Sequence, residues 1–190
     1  MIYVNDDITG FDLDAALADL PEWRREKTLR FRTDLLRRQS VAVWILLRDA
    51  LRRDFGVVEM PEIDFTPVGK PFFASRQDIH FNLSHCREAV ACAVDVEPVG
   101  VDVEAVVRKI DDAVLREVLN DEEIARVLAA ESREEEFTRL WTMKESAVKL
   151  TGDGLTDTSL LRTILNDGRY VFETRDVTGR YVVTECHFRK

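Results

Sequence analysis

Cysteine, proline and glycine are all scarce: the 190 residues hold three, five and eight of them. Collagen-like and low-complexity classes are thereby excluded. Cys86, Cys92 and Cys186 show no metal-ligand spacing, and their odd number fits a reducing compartment. Cys92 lies in the apolar run Ala89–Val94 and reads as buried filler. No apolar run approaches the roughly 18 residues of a membrane span. An excess of positive charge is missing too, since 27 basic and 36 acidic residues give a net charge of −9. That sign argues against general nucleic-acid binding, which needs a basic field. The opening residues, Met1-Ile-Tyr-Val-Asn-Asp-Asp, carry no basic leader and no signal-peptide core, so the cytoplasm is the expected location.

What is present is a globular composition, 45% apolar and 33% charged, sized for one domain or two small ones sharing a core. Positive charge is concentrated in one stretch: Arg24, Arg25, Lys27, Arg30, Arg32, Arg37 and Arg38, against Glu26 and Asp34. This is the stretch where an anionic ligand or partner would land, although charge alone favours a solvated helix face.

The order of elements is legible from periodicity. A strand at 2–4 precedes helical material from Asp12 and a new start at Pro21. A long helix over 34–55 carries Leu36, Val43, Leu47, Ala50 and Leu51 mainly on one face and stops at Gly56. Strands are expected at 63–65, 80–84, 89–94 and 101–104, with a turn at Pro67–Pro71. Helices follow near 111–118, 121–130 and 134–150, then strands at 163–165, 170–174 and 181–188, with Asp167-Gly168 as a hairpin signal. Each half reads strand, helices, long helix, strands. Two similar α+β lobes are expected, residues 1–98 and 99–190, with ligands between them.

Four segments could carry chemistry. In Gly100-Val-Asp-Val-Glu104, strand alternation puts Asp102 and Glu104 on one face and Val101 and Val103 on the other. Adjacent carboxylates repel, and a hard divalent cation resolves the repulsion; a wet acidic edge strand is the plain alternative. Removing one charge should relieve the repulsion without loss of stability. In Trp141-Thr-Met-Lys-Glu-Ser-Ala-Val-Lys149, Trp141, Glu145 and Lys149 share a helix face, with Lys144 beside them; a plain Glu145–Lys149 helix pair explains the spacing equally well. The turn Gly152-Asp-Gly-Leu155 follows. In Phe81-Asn-Leu-Ser-His-Cys86, Ser84 and His85 alternate faces, so His85 is poorly placed to activate Ser84; phosphate binding is the better functional reading, and a structural His at a strand end fits the local sequence about as well. Gly69-Lys-Pro71 fixes a turn around Lys70.

Together, in this order, these motifs resemble the 4′-phosphopantetheinyl transferase superfamily, in its Sfp-type, pseudo-dimeric branch. The resemblance covers about residues 21–155. It implies two lobes related by a pseudo-twofold axis, each a small antiparallel sheet packed on a long helix. It further implies Mg²⁺-dependent transfer of the phosphopantetheine arm of coenzyme A to a serine of an apo acyl- or peptidyl-carrier protein. By motif position, Asp102, Glu104 and Glu145 would hold the metal, and Glu145, Lys149 and Lys144 would be catalytic, with Lys149, Lys144 and His85 meeting phosphate oxygens. Arg24, Lys27, Ser40, Lys70, Ser84 and His85 would contact coenzyme A. Arg24 stands where the family often has Lys, and Ser40 where it often has Thr. No nucleic acid or membrane partner is implied, and a chain with two lobes can build the site as a monomer. Two other classes are compatible with the residues: a carrier-binding module without catalysis, and a Mg²⁺-dependent nucleotide phosphohydrolase.

Overall fold

The computed structural model describes residues 1–154, 158–177 and 179–190, so Leu155 of the glycine-rich turn lies outside the described residues. The first lobe runs β1 (Ile2–Asn5), α1 (Leu13–Ala18), α2 (Glu22–Leu29), α3 (Asp34–Phe55), β2 (Ile63–Phe65), β3 (Pro71–Phe73), β4 (His80–His85) and β5 (Val90–Asp95). The second runs β6 (Val99–Ala105), α4 (Asp112–Val118), α5 (Asp121–Ala129), α6 (Arg133–Thr151), two 3-10 turns (Thr158–Arg162 and Ile164–Asn166), β7 (Tyr170–Val177) and β8 (Tyr181–Phe188). Each lobe contains a three-stranded antiparallel sheet, β1-β5-β4 in one and β6-β8-β7 in the other. The first and last strands of each lobe pair in the same way, as the pseudo-twofold relation requires. A separate β2-β3 hairpin decorates the first lobe.

The long helices form where the sequence places them. Thr33 caps α3 by accepting from the Leu36 N–H, and Ser132 caps α6 by accepting from the Glu135 N–H. Val43, Leu47, Ala50 and Leu51 are buried, but Leu36 keeps 37% of its surface because the first turn of α3 overhangs the core. The apolar run of β5 is explained by cover on both faces. Cys92 and Val94 meet Leu47 and Leu51 of α3, while Ala91 and Ala93 meet Val99, Val101 and Val103 of β6. The core is therefore continuous across the lobe boundary, with small residues on β5 allowing close approach.

Gly100 fixes the second lobe's helix on its sheet. A Cβ there would stand 2.0 Å from the Ser146 carbonyl oxygen and 2.6 Å from the Leu150 nitrogen. Only glycine lets α6 lie this close to β6, and that contact sets the helix over Asp102 and Glu104.

Residues 163–165 are not a strand. The segment enters a 3-10 turn at Ile164–Asn166, and its neighbours are held by helix side chains: Asn120 Nδ2 donates to the Arg162 carbonyl and Lys144 Nζ to that of Leu161. With those carbonyls taken by α5 and α6, the segment stays off the sheet. Asp167-Gly168 consequently leads into β7 instead of closing a hairpin. The short strand β3 gave no signal, since Pro71 reads as the end of a turn. No helix among the described residues is long and apolar enough to cross a membrane.

Candidate active site at the lobe boundary

The acidic face of β6 and the Trp141–Lys149 face of α6 meet one another. Val101 and Val103 turn into the inter-lobe core, which leaves Asp102 and Glu104 facing the helix. Lys149 Nζ lies 2.6 Å from Asp102 Oδ1 and 2.9 Å from Ser84 Oγ. Ser84 Oγ in turn donates to Asp102 Oδ1 at 2.8 Å. Among the described residues Glu145 and Lys149 form no ion pair, so the plain helix pair does not account for their spacing. The Lys149 charge is used across the boundary between lobes.

The carboxylates act on each other. Burial pushes Glu104 up to about 7, and the charges of Asp102 and Glu145 push the same way, with Lys149 and the Trp141 indole N–H partly offsetting them. Burial and Asp102 likewise raise Glu145, against the pull of Lys149. Asp102 Oδ2 is buried without a hydrogen-bond partner among the described residues. Among the described residues no three His, Cys, Asp or Glu side chains are gathered as a finished metal-binding group. The set nevertheless has the chemistry of a hard-cation site: oxygen donors only, an orphaned buried oxygen, and three carboxylates that share the Lys149 ammonium.

This electrostatic arrangement predicts a pH dependence. Glu104 rises from 4.5 to about 7 on folding, so the folded protein binds the extra proton between those values. Its contribution to stability is therefore lost as pH rises through that window. Without metal, the thermal midpoint of Glu104→Gln should gain on that of the wild type from pH 4.5 to 7. A gap that stays constant over this range contradicts the assignment.

The first lobe brings cations to the same place. His85 is exposed at the end of β4, next to buried Ser84. The protein packed around its ring lowers its pKa, and Lys149 and then Arg24 add to the effect, so both cations act on this imidazole. Arg24 donates through Nη2 to the Ser40 carbonyl at 3.0 Å and lies over the Trp44 ring, 5.3 Å from its centroid. Burial lowers its pKa, and its Nε is buried without a partner among the described residues. Lys27 lies over the Phe65 ring and is lowered by burial and by Arg24. Ser40 is buried, its hydroxyl shared with that of Thr28 at 2.9 Å. Among the described residues Arg24 and Lys27 have no carboxylate partner, and positive groups held this close favour an anion.

Lys70 crosses the boundary from the other side. Its Nζ donates to the Leu150 carbonyl at 2.7 Å, at the C-terminal end of α6. Gly152, with φ 74°, ends that helix, and a Cβ there would stand 2.7 Å from Lys70 Cδ. Lys70, Asn82, Lys149, Gly152 and Gly154 line a cleft of about 260 Å³ between the lobes.

A profile described as ACPS, the 4′-phosphopantetheinyl transferase superfamily, matches residues 98–183. That span contains β6 and α6, and with them Asp102, Glu104, Glu145 and Lys149. The chain belongs to the 4′-phosphopantetheinyl transferase superfamily. Its relatives are named as enzymes of that family. The 4′-phosphopantetheinyl transferase Sfp of Bacillus subtilis (strain 168) is 28% identical over 81% of this chain and 70% of its own length. The transferase psf-1 of Bacillus pumilus is 35% identical over 70% of this chain, and the match spans 58% of that relative. The transferase AcpT of Salmonella typhimurium is 34% identical over 58% of this chain and 59% of its own length.

The structure separates one residue of the family motif from the rest. Lys144, expected at a phosphate, is fully buried on the far side of α6, where its Nζ meets Glu123 Oε2 at 2.8 Å and the Leu161 carbonyl. On a helix, positions 144 and 145 point about 100° apart, so the side chain beside Glu145 serves α5 and not the cleft. Two residues that sequence reasoning passed over also matter. Asn120-x-x-Glu123 is a legible capping box, but its carboxylate's second partner, Lys144, is not deducible from that spacing. Asn82 reads only as a letter of the Phe-Asn-x-Ser-His motif.

Proposed function

We propose that the chain transfers the 4′-phosphopantetheine arm of coenzyme A to a serine hydroxyl of an apo acyl- or peptidyl-carrier protein, releasing adenosine 3′,5′-bisphosphate. The observation that carries this reading is the junction of Lys149 with Asp102 and Ser84, flanked by raised carboxylates on one side and by His85 and Arg24 on the other. A negatively charged group that must meet both a cation cluster and an acidic cluster is what a pyrophosphate with a divalent cation provides.

Asp102, Glu104 and Glu145 would hold Mg²⁺. When bound, it would neutralise the pyrophosphate and stabilise charge developing on the leaving group. Arg24, Lys27, His85 and Ser40 hold the phosphates of coenzyme A, and Lys70 lines the nucleotide cleft with Ser84 beside it. The carrier serine Oγ attacks the phosphorus next to the pantetheine. The bond from that phosphorus to the bridging oxygen breaks, and the electron pair leaves with the adenosine bisphosphate, where Lys149 meets it. Glu145 accepts the serine proton on its carboxylate. Residues 1–98 thus supply the coenzyme A side and residues 99–190 the acidic and catalytic side, so a monomer in the cytoplasm can carry the reaction.

Glu145→Gln tests this division of labour. Single-turnover transfer should fall by about 10²-fold or more, while coenzyme A affinity stays near wild type because the cations remain. A change confined to the thermal midpoint, with the rate intact, removes Glu145 from the chemistry.

A further inference from the structure

The two sheets present their edges to each other. β4 ends one sheet and β6 ends the other, and no backbone ladder joins them. An edge strand buried in this way leaves a row of N–H groups that need acceptors. Val101 and Val103 are fully buried, and their N–H groups are met by side chains of β4: Asn82 Oδ1 accepts from Val101 at 2.9 Å, and Ser84 Oγ from Val103 at 3.2 Å. Alternate residues of one strand thus serve alternate residues of the other, in step.

The two acceptors differ in load. A hydroxyl has one donor and two acceptor sites. Ser84 uses all of them, on Asp102, Lys149 and Val103. Its position is therefore a compromise among three partners. Asn82, 5% exposed, has Val101 as the partner of its Oδ1. We infer that Asn82 is the positioning residue that sets the register of β6 on β4, and so keeps Ser84 between Asp102 and Lys149. Without it, Ser84 is the remaining side chain of β4 that meets a β6 amide, and its divided oxygen holds the groups facing the cleft less firmly in alignment. The turnover part of this inference rests on the transferase reading above.

The test uses two variants of the full chain. Asn82→Leu keeps the bulk and removes the acceptor. Asn82→Ser removes the amide donors but leaves an oxygen where Ser84, two residues on, shows that an Oγ can serve a β6 amide. In Asn82→Leu, hydrogen exchange at the Val101 amide should quicken by about tenfold in the ligand-free protein. Its kcat should fall by about 10²-fold with little change in the KM for coenzyme A, as expected for misplacement of intact groups. Asn82→Ser should restore both properties towards wild type. If Asn82→Leu does not fold, Asn82→Ala carries the same expectation.

Faster exchange at Val101 with kcat unchanged overturns the inference. So does a KM that rises equally in both variants, because that assigns the amide to ligand binding. Should the wild type transfer nothing, the transferase reading fails on its own, and the exchange measurement still decides: unaltered protection of Val101 in Asn82→Leu overturns the register role.

Discussion

Asp102→Asn is expected to cut transfer by about 10²–10³-fold, the loss typical of removing one preorganised electrostatic contact. Asp102 is 2% exposed, and its carboxylate touches Lys149 and Ser84 while also acting on Glu104 and Glu145. An amide in its place offers the Lys149 ammonium no charge. Relief of repulsion on β6 alone would leave stability unchanged or higher, but the structure adds an opposing effect. Lys149 keeps 29% of its side-chain surface, so its ion pair is only partly buried, and breaking it should cost about 1–3 kcal/mol. The net expectation is a modest fall in thermal midpoint, with Glu104 titrating lower because the Asp102 charge that raised it is gone. Transfer near the wild-type rate with Mg²⁺ present, or a thermal midpoint that rises, contradicts this account of the junction.

Lys144→Met should do the opposite, with a large loss of stability and little loss of chemistry per folded molecule. The ammonium is fully buried, and Glu123, its partner, keeps Oε1 buried without a hydrogen bond among the described residues. Methionine preserves the stem and leaves a buried carboxylate unpaired, which costs about 3–5 kcal/mol. For a chain of this length that is a fall in thermal midpoint of roughly 10 °C. The companion Lys144→Met/Glu123→Gln should recover much of it, since a glutamine can still accept from the Asn120 N–H that Glu123 Oε2 now caps at 3.0 Å. A Lys144→Met protein with an unchanged thermal midpoint and slow transfer would return Lys144 to the phosphates.

These two lysines mark what can be read from the sequence and what cannot. Spacing on a helix places Glu145 and Lys149 on one face, and strand alternation places Asp102 and Glu104 on another; both hold, because each depends only on the period of its own element. Lys144 differs, because adjacency in a motif is not adjacency in space: its ammonium meets Glu123 and the Leu161 carbonyl. The α3 stripe, the buried β5 run and the repeated order of elements were legible from periodicity. Thr163–Leu165 was not, since its neighbours' carbonyls are held by side chains from α5 and α6 that no local pattern announces. The same holds for the lobe boundary: that Lys70 reaches the end of α6, and Asn82 the edge of β6, follows from packing between elements far apart in the chain.

The most direct measurement of the central claim is the intact mass of an apo carrier protein after incubation with this chain, coenzyme A and Mg²⁺. The account predicts a gain of one phosphopantetheinyl group on the carrier serine, with adenosine 3′,5′-bisphosphate released in equal amount. No gain in mass would contradict it, whether the carrier is bound unchanged, as by a non-catalytic module, or free phosphopantetheine appears instead, as from a phosphohydrolase.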